Sequence, residues 1–150
     1  MREPRPILIA EDNPNDVELT LAALADHNLA NQVVVVKDGV EVLEYLRREG
    51  EYRLRDPGAP AVVILDIKMP RMNGLETLRA IRADRDLKAI PVVMLTSSSE
   101  QQDLLRSYEL GTNAYVVKPM SFSEFFDAMK FIGVFWALVN QPPPVPPPRS

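Results

Sequence analysis

Four places in the chain hold residues able to do chemistry: the acidic pair Glu11-Asp12, then Asp66, Thr96 and Lys118. Each follows directly on a short apolar run. Pro6-Ile-Leu-Ile-Ala10 precedes Glu11, Ala61-Val-Val-Ile-Leu65 precedes Asp66, Ile90-Pro-Val-Val-Met-Leu95 precedes Thr96, and Ala114-Tyr-Val-Val117 precedes Lys118. Short apolar runs without alternation read as strands buried on both faces, typical of a parallel sheet. The polar residues therefore stand at carboxyl strand ends, the edge where open α/β sheets form sites. Carboxylates gathered at one edge repel, and two unit charges ~4 Å apart cost about 4 kcal/mol at an effective dielectric of ~20. A proton or a cation must relieve this. With all-oxygen ligands the cation is a hard one, Mg²⁺ first. Lys118 adds a fixed positive charge and Thr96 a hydroxyl donor. The set suits an Asp66 carboxylate that attacks a phosphoryl group, with Mg²⁺, Lys118 and Thr96 stabilising charge on its oxygens. A single Asp can merely cap a turn, and an acidic pair can merely favour a helix dipole. The joint placement of all the groups is what calls for chemistry.

The intervening segments must bring these ends together. Asn13 is a good N-cap and Pro14 suits a first helical turn. The spacing predicts a helix to about His27 with Val17, Leu21, Leu24 and Ala25 on one face. Val33–Val36 is a second strand, and Asp38-Gly39 turns the chain into a helix carrying Val40, Leu43, Tyr45 and Leu46 and ending near Gly50. Glu51 to Pro60 reads as a surface loop. Pro70, Asn73 and Gly74 break the third strand after Asp66, and Gly74–Ala83 follows as a helix burying Leu75, Leu78 and Ile81. Glu100 to Leu110 is a helix closed by Gly111. A last helix runs from Ser121, with Glu124 placed for a capping box, to about Val139. Five strands alternating with five helices predict a doubly wound, mostly parallel sheet with right-handed crossovers.

Composition narrows the function further. The 150 residues suit one domain, with 46% hydrophobic and 25% charged residues as in ordinary globular proteins. There is no cysteine, which excludes disulfides, thiol catalysis and Cys–zinc sites. A single histidine, His27, excludes multi-His metal centres. The net charge of −4 and the lack of a basic run argue against nucleic acid as the direct partner. No apolar stretch is long enough to span a membrane and the N-terminus lacks a signal-peptide core, so a cytoplasmic protein is expected.

Taken together, Glu11-Asp12, the Leu-Asp-x-x-Met-Pro-x-x-Asn-Gly run from Leu65 to Gly74, Thr96 and Lys118-Pro119 resemble the receiver domain of bacterial response regulators. The resemblance covers about Pro6 to Val139. It implies a flavodoxin-like sheet of order 2-1-3-4-5, with residues 1–140 as the receiver and 141–150 as a proline-rich arm. It implies Asp66 as phosphoacceptor and Lys118 as the family's lysine. It implies Asp12 and Asp66 as direct Mg²⁺ ligands, with Glu11 acting through water and the Lys68 carbonyl completing the set. Thr96 and Tyr115 are then the switch pair, and the Lys118-Pro119 bond is expected cis. Lys68 and Ser98 occupy positions that tune phosphoryl lifetime in the family. Phe135-Trp136-x-x-Val139-Asn140-x-Pro142-Pro143 and the Glu51–Pro60 loop are similar to receiver-only regulators that partner phytochrome-type histidine kinases.

Other functions fit less well. A dehalogenase-like phosphatase would want a second Asp where Lys68 stands. A flavodoxin-like electron carrier would need a phosphate-binding loop where Glu11-Asp12 would repel phosphate. A degenerate receiver that only binds partners would not keep every key group. No effector domain is expected after Val139, so output should run through protein contacts or onward phosphate transfer. On a helical plot Phe122, Phe125, Met129, Ile132, Trp136 and Val139 share the sheet-facing side, while Phe131, Val134, Phe135 and Leu138 lie opposite. A helix apolar nearly all round asks for a partner. Six prolines from Pro142 to Pro148 favour an extended arm. The expectation is a homodimer through Phe131, Val134, Phe135 and Leu138, with Pro142 and Pro143 of each arm laid on the twin.

Overall fold

In the computed structural model, which describes residues 5–25, 33–97, 100–118 and 121–140, five strands form one parallel sheet in the order β2-β1-β3-β4-β5. The strands are β1 (Ile7–Ala10), β2 (Val33–Val36), β3 (Val62–Leu65), β4 (Val92–Thr96) and β5 (Ala114–Val117). The helices are α1 (Pro14–Ala25), α2 (Gly39–Arg47), α3 (Gly74–Ala83), α4 (Gln101–Glu109) and α5 (Phe122–Val134). This is the architecture expected from the alternating pattern. Its register sets Ala10 beside Leu65 and Val36, and Thr96 beside Val117, so the chemically interesting ends share one edge.

Alternation along each strand splits the core in two. Leu8, Ala10, Val63, Leu65, Val92 and Met94 point to one face, where Val42 and Leu46 of α2 and Leu78 and Ile81 of α3 cover them. Ile7, Ile9, Val62, Ile64, Val93 and Leu95 point to the other, where Leu24 of α1 and Phe125, Met129 and Ile132 of α5 cover them. The central strands β1, β3 and β4 are buried throughout, which explains their lack of alternation.

Several boundaries differ from the sequence reading. β3 starts at Val62, and β4 takes in Thr96 while leaving Ile90 and Pro91 outside. Pro91 has no N–H for a ladder, and its carbonyl instead accepts from the Val63 amide at 2.9 Å. α2 stops at Arg47, before Gly50, because Arg48 takes a left-handed φ of 58° and closes the helix. Within the expected Glu51–Pro60 loop a single 3₁₀ turn covers Gly50–Tyr52. On α1 the buried residues are Thr20, Ala23 and Leu24, whereas Ala25 is exposed and Val17 and Leu21 are half-buried. The cause is the close approach of α5, where Gly133 lies against the Leu24 side chain with no room for a Cβ.

The last helix departs most. Ser121 caps it by accepting from the Glu124 amide at 3.2 Å, but Glu124 meets the Ser121 hydroxyl rather than its backbone N–H. Regular α-helix ends at Val134, and Phe135–Val139 continues as a π-helical turn closed by Asn140 N–H donating to the Phe135 carbonyl at 2.6 Å. The wider turn rotates the following side chains. Ala137 takes the buried place below Ile132, and Val139, expected on the sheet-facing side, is 65% exposed. Trp136 is half-buried against the α1–α5 core, and so is Val134. His27, Ser98, Pro119 with its expected cis bond, the Phe122 and Leu138 side chains, and the arm with Pro142 and Pro143 lie outside the described residues.

Candidate functional site

Backbone bonds fix the strand ends first. The Glu11 N–H donates to the Val36 carbonyl at 3.0 Å, and the Asp66 N–H to the Ala10 carbonyl at 3.3 Å. The Lys118 N–H donates to the Thr96 carbonyl at 2.6 Å. Three adjacent strand pairs are thus tied together just where their side chains turn polar. Behind Asp66 the chain leaves the sheet tightly. The Gly74 N–H reaches the Ile67 carbonyl at 2.9 Å, and a Cβ on Gly74 would strike the Asp66 carbonyl oxygen. Asn73 and Glu76 form a full capping box that starts α3 at this point.

On this frame Lys118 is the hub. Its Nζ donates to Asp16 Oδ2 at 2.8 Å, to Glu11 Oε2 at 2.9 Å and to Asp66 Oδ2 at 3.4 Å. Asp66 Oδ1 accepts from the Lys68 N–H at 3.2 Å, and Glu11 Oε1 from the Asn13 N–H at 3.1 Å. Glu11, Asp66 and Thr96 are buried, while Asp12 and Lys68 are exposed. Glu11, Asp16, Thr20, Asp66 and Phe125 line a small cavity of about 10 Å³, at the lower limit for a single water. Burial pushes the Glu11 carboxyl above its ordinary pKa, and the Lys118 bond offsets this only in part. Burial works against the Lys118 charge too, but hydrogen bonds to Asp16 and Glu11 and the charges of Glu11 and Asp66 raise its pKa well above the ordinary value.

The structure therefore brings Glu11, Asp66, Thr96 and Lys118 to one edge, as the sequence suggests. Asp12 lies beside them but takes no part in the ion pairs among the described residues. The third carboxylate on the ammonium is Asp16. Its sequence signal is faint, since an acid in a first helical turn usually answers the dipole. Among the described residues no three His, Cys, Asp or Glu side chains already converge as a metal nest. The donors nonetheless fit a hard divalent cation. Four carboxylates, Glu11, Asp12, Asp16 and Asp66, against one ammonium leave three formal negative charges in excess. All the donors are oxygens. Tyr115 is half-buried in β5, paired with Met94 and packed on the α2–α3 side of the sheet.

A second structure of the site escaped sequence reading. Arg71 holds a left-handed φ of 61°, and its guanidinium grips Asp38 with two bonds, Nε to Oδ2 at 2.8 Å and Nη2 to Oδ1 at 3.1 Å. The loop that carries Asp66 into α3 is thereby tied to the start of α2, where Asp38 also caps the helix.

Residues 7–130 match the family model described as the response regulator receiver domain. The chain is 33% identical over 133 residues to response regulator Rcp1 of Synechocystis sp., covering 89% of each chain. The Mn(2+)-bound form of Rcp1 superposes with a TM-score of 0.84, covering 94% of this chain and 100% of that one. The phosphorylated cyanobacterial phytochrome response regulator RcpA gives a TM-score of 0.86 at 37% identity, covering 95% and 100%. The bacteriophytochrome response regulator AtBRR is 58% identical, with a TM-score of 0.73 and coverage of 93% and 100%.

Proposed function

The chain belongs to the response regulator receiver family, a signalling module of two-component phosphorelays rather than a classical enzyme, and we propose that it accepts a phosphoryl group from a histidine kinase on Asp66. The observation that carries this reading is the placement of Asp66 beside the Lys118 ammonium at the carboxyl edge of the sheet. An Asp66 oxygen attacks phosphorus, the bond to the donor nitrogen or oxygen breaks, and an acyl phosphate forms. Lys118 stays charged and can follow a phosphoryl oxygen, while the buried Thr96 hydroxyl offers a neutral donor. Asp12, Asp66, the Lys68 carbonyl and, through water, Glu11 would hold the metal. Mg²⁺ bound there would supply positive charge to the phosphoryl oxygens. Acetyl phosphate should label the wild type and not Asp66→Asn, and EDTA should abolish labelling. Acid-stable, undiminished labelling of Asp66→Asn would refute the assignment.

Thr96 and Tyr115 form the switch in this reading. They sit on neighbouring strands, and Tyr115 is only half-buried. Thr96→Ala should still accept phosphate but lose the phosphorylation-dependent change in partner binding. A normal response in that variant would place the switch elsewhere.

The kinase partner is phytochrome-type, supported by the relatives whose names mention phytochromes. We place the protein in the cytoplasm, acting on protein partners and not on nucleic acid. Among the described residues no helix is long and apolar enough to cross a membrane, and the net charge is −4. A homodimer forms through the last helix and the arm, with Phe131, Val134, Phe135, Leu138, Pro142 and Pro143. In support, Phe131 and Phe135 stack in parallel at 6.1 Å while Phe131 remains 70% exposed.

A further inference from the structure

We propose that Asp16 is a positioning residue that parks the Lys118 ammonium on α1 and so keeps Asp66 open to the divalent cation. This rests on the reading of Asp66 as the phosphoacceptor. The juxtaposition is one ammonium among three carboxylates at unequal distances: 2.8 Å to Asp16, 2.9 Å to Glu11 and 3.4 Å to Asp66.

The backbone that carries the two short contacts is held in place. Asn13 Oδ1 accepts from the Asn15 and Asp16 amides at 2.9 and 3.4 Å, which sets the first turn of α1. The Asp16 carbonyl accepts the Thr20 hydroxyl at 2.8 Å. Glu11 is steadied by the Asn13 amide. Asp66 is held differently. Its Oδ1 takes the Lys68 amide, and among the described residues its Oδ2 has only the long contact to Lys118. Of the three oxygens that meet the ammonium, Asp66 Oδ2 is therefore the most weakly held, as a metal ligand or nucleophile requires.

Without the Asp16 charge, the ammonium has Glu11 and Asp66 as its remaining anionic partners and settles between them. A unit positive charge then sits tightly on the oxygen that must receive a divalent cation, and the two repel. Asp16 thus gives Lys118 somewhere to be before the phosphoryl group arrives. When Asp66 is phosphorylated, the new oxygens compete with Asp16 for the ammonium.

A plain attraction of Mg²⁺ by the Asp16 charge predicts a loss of affinity too, so the test must separate the two. Mg²⁺ affinity is measured by isothermal titration calorimetry, with no phosphoryl donor present, on the wild type, Asp16→Asn, Lys118→Ala and the double variant. Circular dichroism checks that each is folded, and Asp16→Glu, which keeps the carboxylate, provides a second route should Asp16→Asn misfold. We expect Asp16→Asn to weaken Mg²⁺ binding about fivefold, equivalent to about 1 kcal/mol, when Lys118 is present. With Lys118→Ala the same substitution should change affinity less than about twofold. Asp16→Glu should bind within about twofold of the wild type. Equal weakening in both backgrounds, or none with Lys118 present, overturns the proposal. Because no phosphate is involved, either result leaves the Asp66 labelling test to stand or fall separately. A wild type that binds no Mg²⁺ overturns the metal reading and this proposal together.

Discussion

The Asp38 carboxylate receives the Glu41 amide at the start of α2 and both arms of the Arg71 guanidinium. Burial alone would raise its pKa, but the Arg71 bonds and the backbone amides prevail and hold it below the ordinary 3.8. Its ionised form therefore favours the fold. That contribution is complete above the unfolded value and is lost as pH falls through the lower folded one. Asp38→Ala should lose about 1–2 kcal/mol in urea melts at pH 7, mainly from the cap, since Arg71 itself is largely exposed and its pairing is screened. The gap from wild type should narrow as pH falls below 3.8 through the lower folded value. A gap independent of pH would mean that the carboxylate charge contributes nothing. Glu11 has the opposite sign. Its folded pKa is raised by burial, so its ionisation costs stability as pH rises from 4.5 through the folded value. Lys118, raised above 10.5, contributes stability below that value and loses it only as pH climbs through its folded pKa.

Gly74 shows how an element sets the geometry of a residue far from its own chemistry. It opens α3, and a Cβ there would collide with the Asp66 carbonyl oxygen and lie 2.9 Å from the Asp66 carbonyl carbon and Ile67 Cα. Those are backbone atoms of the strand end that aims Asp66, the proposed phosphoacceptor. They can yield only by moving Asp66. Gly74→Ala should cost about 1–3 kcal/mol in chemical denaturation and slow acetyl-phosphate labelling by about tenfold or more. Full labelling speed in a destabilised variant would separate the turn from the chemistry. At the opposite edge of the sheet Arg82 of α3 does comparable work. It donates to the carbonyls of Gly111, Lys88 and Ile90 and to Asn113 Oδ1, all between 2.6 and 3.0 Å. Asn113 Oδ1 also takes the Val92 amide. One guanidinium, whose pKa is lowered by burial, joins α3 to the starts of β4 and β5. Nothing in its local sequence marks it, because its acceptors, three carbonyls and the Asn113 side chain, are brought near by the fold.

For the whole molecule the proposed twin interface is decisive. Phe131, 70% exposed, and Val139, 65% exposed, flank Phe135 at 36%, on an end of the chain with few charges. Burying such side chains gains roughly 1.5–3 kcal/mol each, which must outweigh the translational, rotational and side-chain freedom lost on association. Analytical ultracentrifugation should find the wild type dimeric and Phe131→Glu/Phe135→Glu monomeric. A truncation after Asn140 should dimerise more weakly if the arms contribute. A wild type that sediments as a monomer, with or without phosphorylation, would end the idea.

The sequence by itself determined the sheet and the edge on which the site lies. Continuous apolar runs ending in Glu11, Asp66, Thr96 and Lys118 leave few alternatives, because buried parallel strands tolerate polar residues only at their ends. It also placed α3 at Gly74–Ala83, after the strand-breaking Pro70, Asn73 and Gly74. Tertiary structure alone decided which carboxylates share the ammonium. Asp16 is five residues beyond Glu11 and 102 before Lys118, and only the packing of α1 on the sheet brings it within reach. The Arg71–Asp38 clasp and the Arg82 junction belong to the same class. Local patterning reads periodicity and caps, whereas these depend on long side chains meeting groups distant in sequence. The last helix makes the contrast plainest. Its apolar content was legible residue by residue, but a helical plot assumes 100° per residue, and the wider final turn does not keep that angle.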